Sequence, residues 1–318
     1  MSRSANRTSR ASPAGPKGVT EGGARPAPTK SQVWWIASRP ATLAASVSPV
    51  LLGTAVAVHD GHSRLGPGLL ALVVGVAMQL GVNYANDYSD HRRGADSPRR
   101  IGPLRAASSG VVPPAQVRLA AFAAFGTAAL AGLWLCLVSD WRLLPVGAAC
   151  LAAGWLYTGG PRPYGYLGLG ELFVFVFFGL VACAGTVYVQ ELRVPPLALW
   201  AGAGCGLLAD AILLLNNLRD IETDASAGKR TLATRLGRPR TRLLLGGFFL
   251  AAFLCPVLAV LSGAAPVPSL LALALLPATT SPMRASAEHG GPPLVAALKR
   301  AAAIEVGFAL LWTLGLVA

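Results

Sequence analysis

The sequence predicts an all-α, polytopic membrane protein of about nine transmembrane helices. Hydrophobic residues make up 53% of the 318 and charged residues only 13%, about half the charged share of a soluble domain. Successive apolar runs of about 18 to 25 residues match the hydrocarbon core of a bilayer. Lys and Arg gather in alternate connections between those runs, as membrane topology requires. One bundle over residues 31–318, behind a tail of residues 1–30, accounts for the chain.

Taken in order, residues 1–30 are rich in Ser, Ala, Pro, Gly and Arg and nearly free of large apolar side chains. Such a segment cannot bury enough surface to offset ordering and reads as a disordered, basic cytoplasmic tail. It lacks the apolar core of a secretory signal, and its Pro and Gly spoil the amphipathic helix of a transit peptide. After Ser38-Arg39-Pro40 the first span begins, with proline suited to an early helical position. Spans are expected near 41–58, 67–87, 115–138, 143–158, 168–189, 197–217, 243–262, 266–281 and 297–317. Spans two and six each run into a polar cluster and then a long basic connection, the kind of long loop that is often functional. After span four, Tyr157 to Tyr166 combines three tyrosines with Gly and Pro, which suits an interfacial aromatic belt and a substrate contact equally.

The net charge is +13, but its distribution speaks for topology rather than for nucleic acid. The tail and the connections after spans two, four, six and eight hold 24 of the 27 Lys and Arg; only Arg64, Arg142 and Arg193 lie opposite. This positive-inside asymmetry places the N-terminus and both polar clusters in the cytoplasm, with some attraction of the basic loops to anionic membrane lipid. The five cysteines sit singly in apolar runs and the four histidines show no ligand spacing, so no zinc or haem site is expected. The lack of a Walker-type glycine loop argues against nucleotide-driven transport.

The polar clusters carry the chemistry. They read Asn83-Tyr-Ala-Asn86-Asp87-Tyr-Ser-Asp90 and Asn216-Asn217-Leu-Arg219-Asp220-Ile-Glu222-Thr-Asp224. Six of only 14 acidic residues (Asp87, Asp90, Asp96, Asp220, Glu222, Asp224) lie in or beside them. Carboxylates beside hydrocarbon are costly, so their concentration marks a site. Both clusters repeat Asn-x-x-x-Asp, and residues four apart share a helix face. Asn83 therefore aligns with Asp87, Asn86 with Asp90, and Asn216, Asp220 and Asp224 form one stripe. Facing stripes of amide and carboxylate oxygens, open on one side, suit Mg2+, which keeps waters and takes oxygens from a diphosphate. Basic residues follow both clusters: Arg92, Arg93, Arg99, Arg100 and Arg105 after the first, Lys229 and Arg230 after the second. Lys229 and Arg230, directly after Gly228, are the best candidates for phosphate contact, with Arg105 behind them. Asp210 and Glu305 lie inside spans, and Asp210 is the stronger functional candidate of the two.

At these residues the chain resembles a known family. Asn86-Asp87-Tyr-Ser-Asp90, followed by Arg92-Arg93-Gly94-Ala95-Asp96, is similar to the first aspartate-rich motif of the UbiA-type intramembrane prenyltransferases, and the second cluster resembles their second. Several further strings look like the branch that acts on 1,4-dihydroxy-2-naphthoate in menaquinone synthesis. They are Arg39-Pro40, Arg100-Ile-Gly-Pro-Leu-Arg105, Tyr157-Thr-Gly-Gly-Pro-Arg-Pro-Tyr164-Gly-Tyr-Leu-Gly168, the second cluster itself and Ala227-Gly228-Lys229-Arg230-Thr231-Leu232-Ala233.

The resemblance implies nine helices around a central cavity open to cytoplasm and lipid, and two magnesium ions gripping a polyprenyl diphosphate. Asn83, Asp87, Asp90, Asn216, Asp220 and Asp224 would be metal or diphosphate ligands, with Asp96 in second rank. Lys229, Arg230 and, more weakly, Arg105 would neutralise the diphosphate. Asp87 and Asp220 would be catalytic through the metal, and Tyr157 through its π face toward an allylic cation. The implied reaction moves the prenyl chain to the naphthoate carbon bearing the carboxylate, with loss of CO2 and diphosphate, giving demethylmenaquinone in a bacterial plasma membrane. Hydroxybenzoate, homogentisate or a plastid naphthoate are alternative acceptors. A multi-helix transporter is the alternative from another class, and it leaves the paired Asn-Asp spacing unexplained.

Overall fold

The computed structural model describes residues 28–94, 102–288 and 291–318, and these contain helices and no strand. A capping box starts the first helix: Thr29 accepts from Gln32 N, and the Gln32 side chain accepts from Thr29 N. Helix α1 (Lys30–Ser38) then turns into α2 (Pro40–His59) at Arg39, whose φ of 50° is left-handed. α3 (Leu65–Arg92), α4 (Pro114–Val138) and α5 (Leu143–Leu156) follow. α6 (Gly170–Val174) continues through a π-helical stretch, Phe175–Val181, into α7 (Ala182–Glu191). After α8 (Pro196–Arg219) and the short α9 (Ile221–Ser226) comes the long α10 (Leu232–Leu261). A 3-10 segment, Val267–Thr279, leads into α11 (Thr280–Ala285), and α12 (Pro292–Val317) closes the chain. Prolines 40, 114, 196 and 292 open their helices, where a missing N–H costs nothing.

Six helices among the described residues are long and apolar enough to cross a membrane: α2, α3, α4, the continuous Gly170–Glu191, α8 and α10. These match six of the nine expected spans. Of the other three expected spans, Leu143–Leu156 is only 14 residues long, and Val267–Thr279 winds as a 3-10 helix. The third, α12, carries Lys299, Arg300 and Glu305.

Burial orders the bundle. α8 is largely buried and α4 largely exposed, so α8 is central and α4 lies at the outside of the bundle. Leu208, Leu214, Leu215 and Leu218 of α8 are fully enclosed, while Leu119, Leu130 and Leu137 of α4 are exposed. The π stretch lies where two helix backbones approach closely. A Cβ added at Gly179 would stand 2.6 Å from Gly206 Cα and 2.7 Å from Gly202 O of α8. Small residues at that crossing let the helices touch through their main chains. At one end of the bundle Arg64 donates to Val138 O and Ser139 donates to Val189 O, tying α3, α4 and α7 together. Both polar clusters lie at the other end, at the termini of α3 and α8.

Candidate functional site

Two spaces meet at the cluster end. A small polar cleft is bounded by Asn86 and Asp90 of α3, Asn216 and Asn217 of α8, and Asp220, Asp224 and Lys229 beyond it. Below it an apolar cavity of about 1420 Å³ runs down the bundle. Asn86, Tyr157 and Asn216 line both, so the polar cleft forms the head of the apolar cavity.

Asp90 is the hub of the cleft. Its Oδ1 accepts from Lys229 Nζ and from the Tyr166 hydroxyl, and its Oδ2 from Arg105 Nη2, each at 2.7 Å. Burial, and after it the charge of Asp90, raises the Tyr166 phenol above its ordinary pKa, so it remains a donor. Lys229 also sits 4.8 Å from the centre of the Tyr166 ring. Arg93 spans the same ring at 5.0 Å and donates to the carbonyls of Thr158 and Gly160, fixing the Tyr157–Tyr166 connection over the cleft.

The structure brings Asn86 and Asp90 to the cleft and holds Asn83 and Asp87 elsewhere. The two Asn-x-x-x-Asp pairs are offset by three residues, and three residues turn a helix by about 300°, so their faces diverge by about 60°. Asn83 donates to Ser38 O and Thr42 Oγ1 and accepts from Gln79, pinning α3 to the α1–α2 junction beside the apolar cavity. Asp87 is 1% exposed, and its carboxylate accepts from the backbone of Ala106 at 2.8 Å and Ala107 at 3.1 Å. It anchors the turn that presents Arg105 to Asp90. Sequence reasoning gave Asn86 no ligand role, although its pairing with Asp90 was visible.

In the second cluster α8 ends at Arg219, Asp220 caps it, and α9 begins at Ile221. The expected stripe survives this break, because Asn216, Asp220 and Asp224 all border the cleft. Arg219 forks onto Asp220 at 2.8 and 2.6 Å and onto Asn216 Oδ1 at 2.7 Å. Lys229 Nζ lies 3.7 Å from Asp224, besides its contact with Asp90. Arg230 is not brought in: its side chain is exposed, and its backbone N–H donates to Tyr166 O. Glu222 is exposed and paired with Arg238. Asp96, Arg99, Arg100 and residues 1–27 of the expected tail lie outside the described residues.

The donor set of the cleft suits a hard cation. Asn86, Asp90, Asn216, Asp220 and Asp224 offer oxygen only. Among the described residues no three His, Cys, Asp or Glu side chains stand close enough to cage an ion by themselves. Magnesium needs no such cage, since it binds through one or two carboxylates and completes its shell with water and phosphate.

The apolar cavity begins with aromatic rings. Tyr157, Tyr164, Phe173 and Phe177 line it in succession, with ring centres 5.5, 3.9 and 5.9 Å apart. Arg39, Arg219 and Lys299 are the cationic residues that border this cavity. Arg39 reaches it from the left-handed junction of α1 and α2, a conformation that L-residues adopt at a cost. Its position could not be read from sequence, because a positive φ at a non-glycine leaves no sequence signal. Of the intramembrane acids, Glu171 accepts from Asn217 of the cleft at 3.0 Å, while Asp210 and Glu305 are buried away from both spaces.

Known proteins resemble this chain over most of its length. The UbiA prenyltransferase family profile matches residues 46–287. The 1,4-dihydroxy-2-naphthoate octaprenyltransferase of Mycobacterium tuberculosis is 44% identical over 88% of this chain and 94% of its own length. The protein of the same name from Bacillus subtilis is 32% identical over 94% and 97%. A UbiA homolog from Aeropyrum pernix superposes with a TM-score of 0.64 at 16% identity, covering 86% of this chain and 96% of the homolog. A UbiA homolog from Archaeoglobus fulgidus, solved bound to GPP and Mg2+, gives 0.62 at 15% identity, covering 89% and 99%.

Proposed function

Since the chain belongs to the UbiA prenyltransferase family, we propose that it transfers a polyprenyl chain from its diphosphate to 1,4-dihydroxy-2-naphthoate in menaquinone synthesis. The observation that carries this reading is the junction of the polar cleft with the apolar cavity at Asn86, Tyr157 and Asn216. A polyprenyl diphosphate has the same two halves, a compact anion and a long hydrocarbon. The relatives that this chain covers almost end to end carry that activity in their names.

The cleft oxygens of Asn86, Asp90, Asn216, Asp220 and Asp224 are the residues that would hold Mg2+, which supplies charge stabilisation to the departing diphosphate. Lys229 and Arg105, already at the cleft, donate to the diphosphate oxygens as the allylic C–O bond breaks. The ring ladder from Tyr157 to Phe177 presents π faces to the allylic cation and keeps water from it. The naphthoate ring carbon bearing the carboxylate forms the new C–C bond. The carboxylate leaves as CO2, its bonding pair returning to the ring, and the product is the quinol form of demethylmenaquinone. Arg39, which lines the same cavity as Tyr157, is the candidate cation for the acceptor carboxylate. Positive-inside asymmetry supports a cytoplasmic cleft in a bacterial plasma membrane.

The test supplies purified protein and Mg2+ with octaprenyl diphosphate and, separately, dihydroxynaphthoate, hydroxybenzoate or homogentisate. Mass spectrometry should find prenylated product with dihydroxynaphthoate alone. Product with hydroxybenzoate or homogentisate instead would reassign the acceptor, and solute movement without any allylic diphosphate would revive a transport role.

A further inference from the structure

The apolar cavity is deeper than an aromatic acceptor needs. Its volume of about 1420 Å³ exceeds the roughly 300–1,000 Å³ of ordinary small-molecule pockets. On α3 it is lined from Asn86 to Ala71, about 22 Å along the helix axis at 1.5 Å per residue. It therefore continues toward the end of the bundle opposite the cleft.

At that far end three helices each contribute a glycine to the wall: Gly132 of α4, Gly147 of α5 and Gly185 of α7. A Cβ built at any of the three meets no atom within 4 Å. Other bundle glycines differ in this respect: at Gly179 and Gly206 a Cβ would collide with backbone. Close helix packing thus explains Gly179 and Gly206 but not the far-end three, whose missing side chains leave cavity space. Gly147 lies about 15 Å along α5 from Tyr157, at 1.5 Å per residue. An isoprene unit has four chain bonds and spans roughly 4–5 Å, by the bond geometry that gives a peptide unit of three bonds 3.3–3.6 Å. The first three units of a donor held at the cleft therefore end at or short of Gly147, and the fourth passes it.

Resting on the prenyl-transfer reading, we propose that Gly132, Gly147 and Gly185 set the donor chain length by keeping the far end of the cavity open for the fourth and later isoprene units.

The experiment compares octaprenyl with farnesyl diphosphate as donors for the purified protein carrying Gly147→Phe, Gly132→Phe or Gly185→Leu. Each should lower kcat/KM for octaprenyl diphosphate about tenfold or more relative to farnesyl diphosphate, the range that a few misplaced carbons cost in an apolar pocket. Gly126→Leu is the control, since a Cβ there is also unobstructed but the residue does not line the cavity. It should leave the ratio unchanged. A binding measurement needs no turnover: Cys136, one turn beyond Gly132, lines the cavity and is partly exposed. Octaprenyl diphosphate should slow its alkylation by N-ethylmaleimide and farnesyl diphosphate should not. Unchanged donor ratios in the bulky variants, or equal protection of Cys136 by both donors, would overturn the proposal. Absence of product from wild type with every donor would instead remove the prenyl-transfer reading beneath it.

Discussion

Lys229 Nζ lies 2.7 Å from Asp90 Oδ1, joining the loop before α10 to the last turn of α3 across 139 residues of chain. Arg105 takes the other oxygen of the same carboxylate, so one carboxylate gathers both cations that face the cleft from the loops. Asp90→Ala removes the hub and leaves Lys229 and Arg105 facing each other without their shared anion. Turnover should fall by about 10²–10³, the cost of losing one preorganised electrostatic group at a transition state. The protein should still fold into the membrane with normal yield. Activity within a few-fold of wild type would show that the cleft is not the reacting end.

Lys229 is expected to act on the donor. Lys229→Ala loses a charge-assisted contact worth about 1.5–3 kcal/mol, so the KM for polyprenyl diphosphate should rise by roughly ten- to a hundredfold. The KM for the aromatic acceptor should change little. Steady-state kinetics with each substrate varied in turn give the answer, and the opposite split would move Lys229 to the acceptor.

Asp87 is expected to position rather than to bind. Asp87→Ala frees the Ala106 and Ala107 backbone and should make the adjoining Arg105 bond accessible to trypsin. Stability should drop by about 1.5–3 kcal/mol, measured by thermal unfolding in detergent. Asp87→Asn keeps one acceptor oxygen and should recover part of both effects. Resistance of Asp87→Ala to proteolysis, with lost magnesium dependence, would return Asp87 to the ligand set.

The ring of Tyr157 should matter more than its hydroxyl. Tyr157→Phe keeps the π face and should retain most activity, while Tyr157→Leu should lose about 2- to 30-fold, as cation–π contacts of 0.5–2 kcal/mol imply. Equal losses in the two variants would point to the hydroxyl instead.

Gly179 tests the packing that holds the aromatic ladder. Gly179→Ala forces its Cβ toward Gly206 Cα and Gly202 O, and overpacking of this kind costs about 1–3 kcal/mol. A lowered unfolding temperature is expected; an unchanged one would mean that the π stretch yields easily.

Local rules made much of this protein legible from its residues. Apolar length and the sparse charges disclosed a membrane bundle, Pro40 marked a helix start, and the two acidic clusters announced a polar site. Asp90, Asn216, Asp220, Asp224, Lys229, Arg105 and Tyr157 were all identifiable and all border the cleft. Each of these signals depends on composition or on spacing within one segment.

What the segments could not supply was their rotation and their distant partners. The overlapping pairs Asn83–Asp87 and Asn86–Asp90 are equivalent on an isolated helix. Packing of α3 against the α1–α2 junction turns Asn86 and Asp90 to the cleft, and leaves Asn83 and Asp87 to hold main chain. Likewise, neighbours Lys229 and Arg230 part company because backbone pairing with Tyr166 faces only the first inward. The sequence by itself determined the membrane class and a pair of acidic clusters, since hydrophobic length and charge are local properties. Only the tertiary structure decided which carboxylate is the hub, where Arg39 points and how deep the cavity runs, since these depend on contacts between residues far apart in the chain.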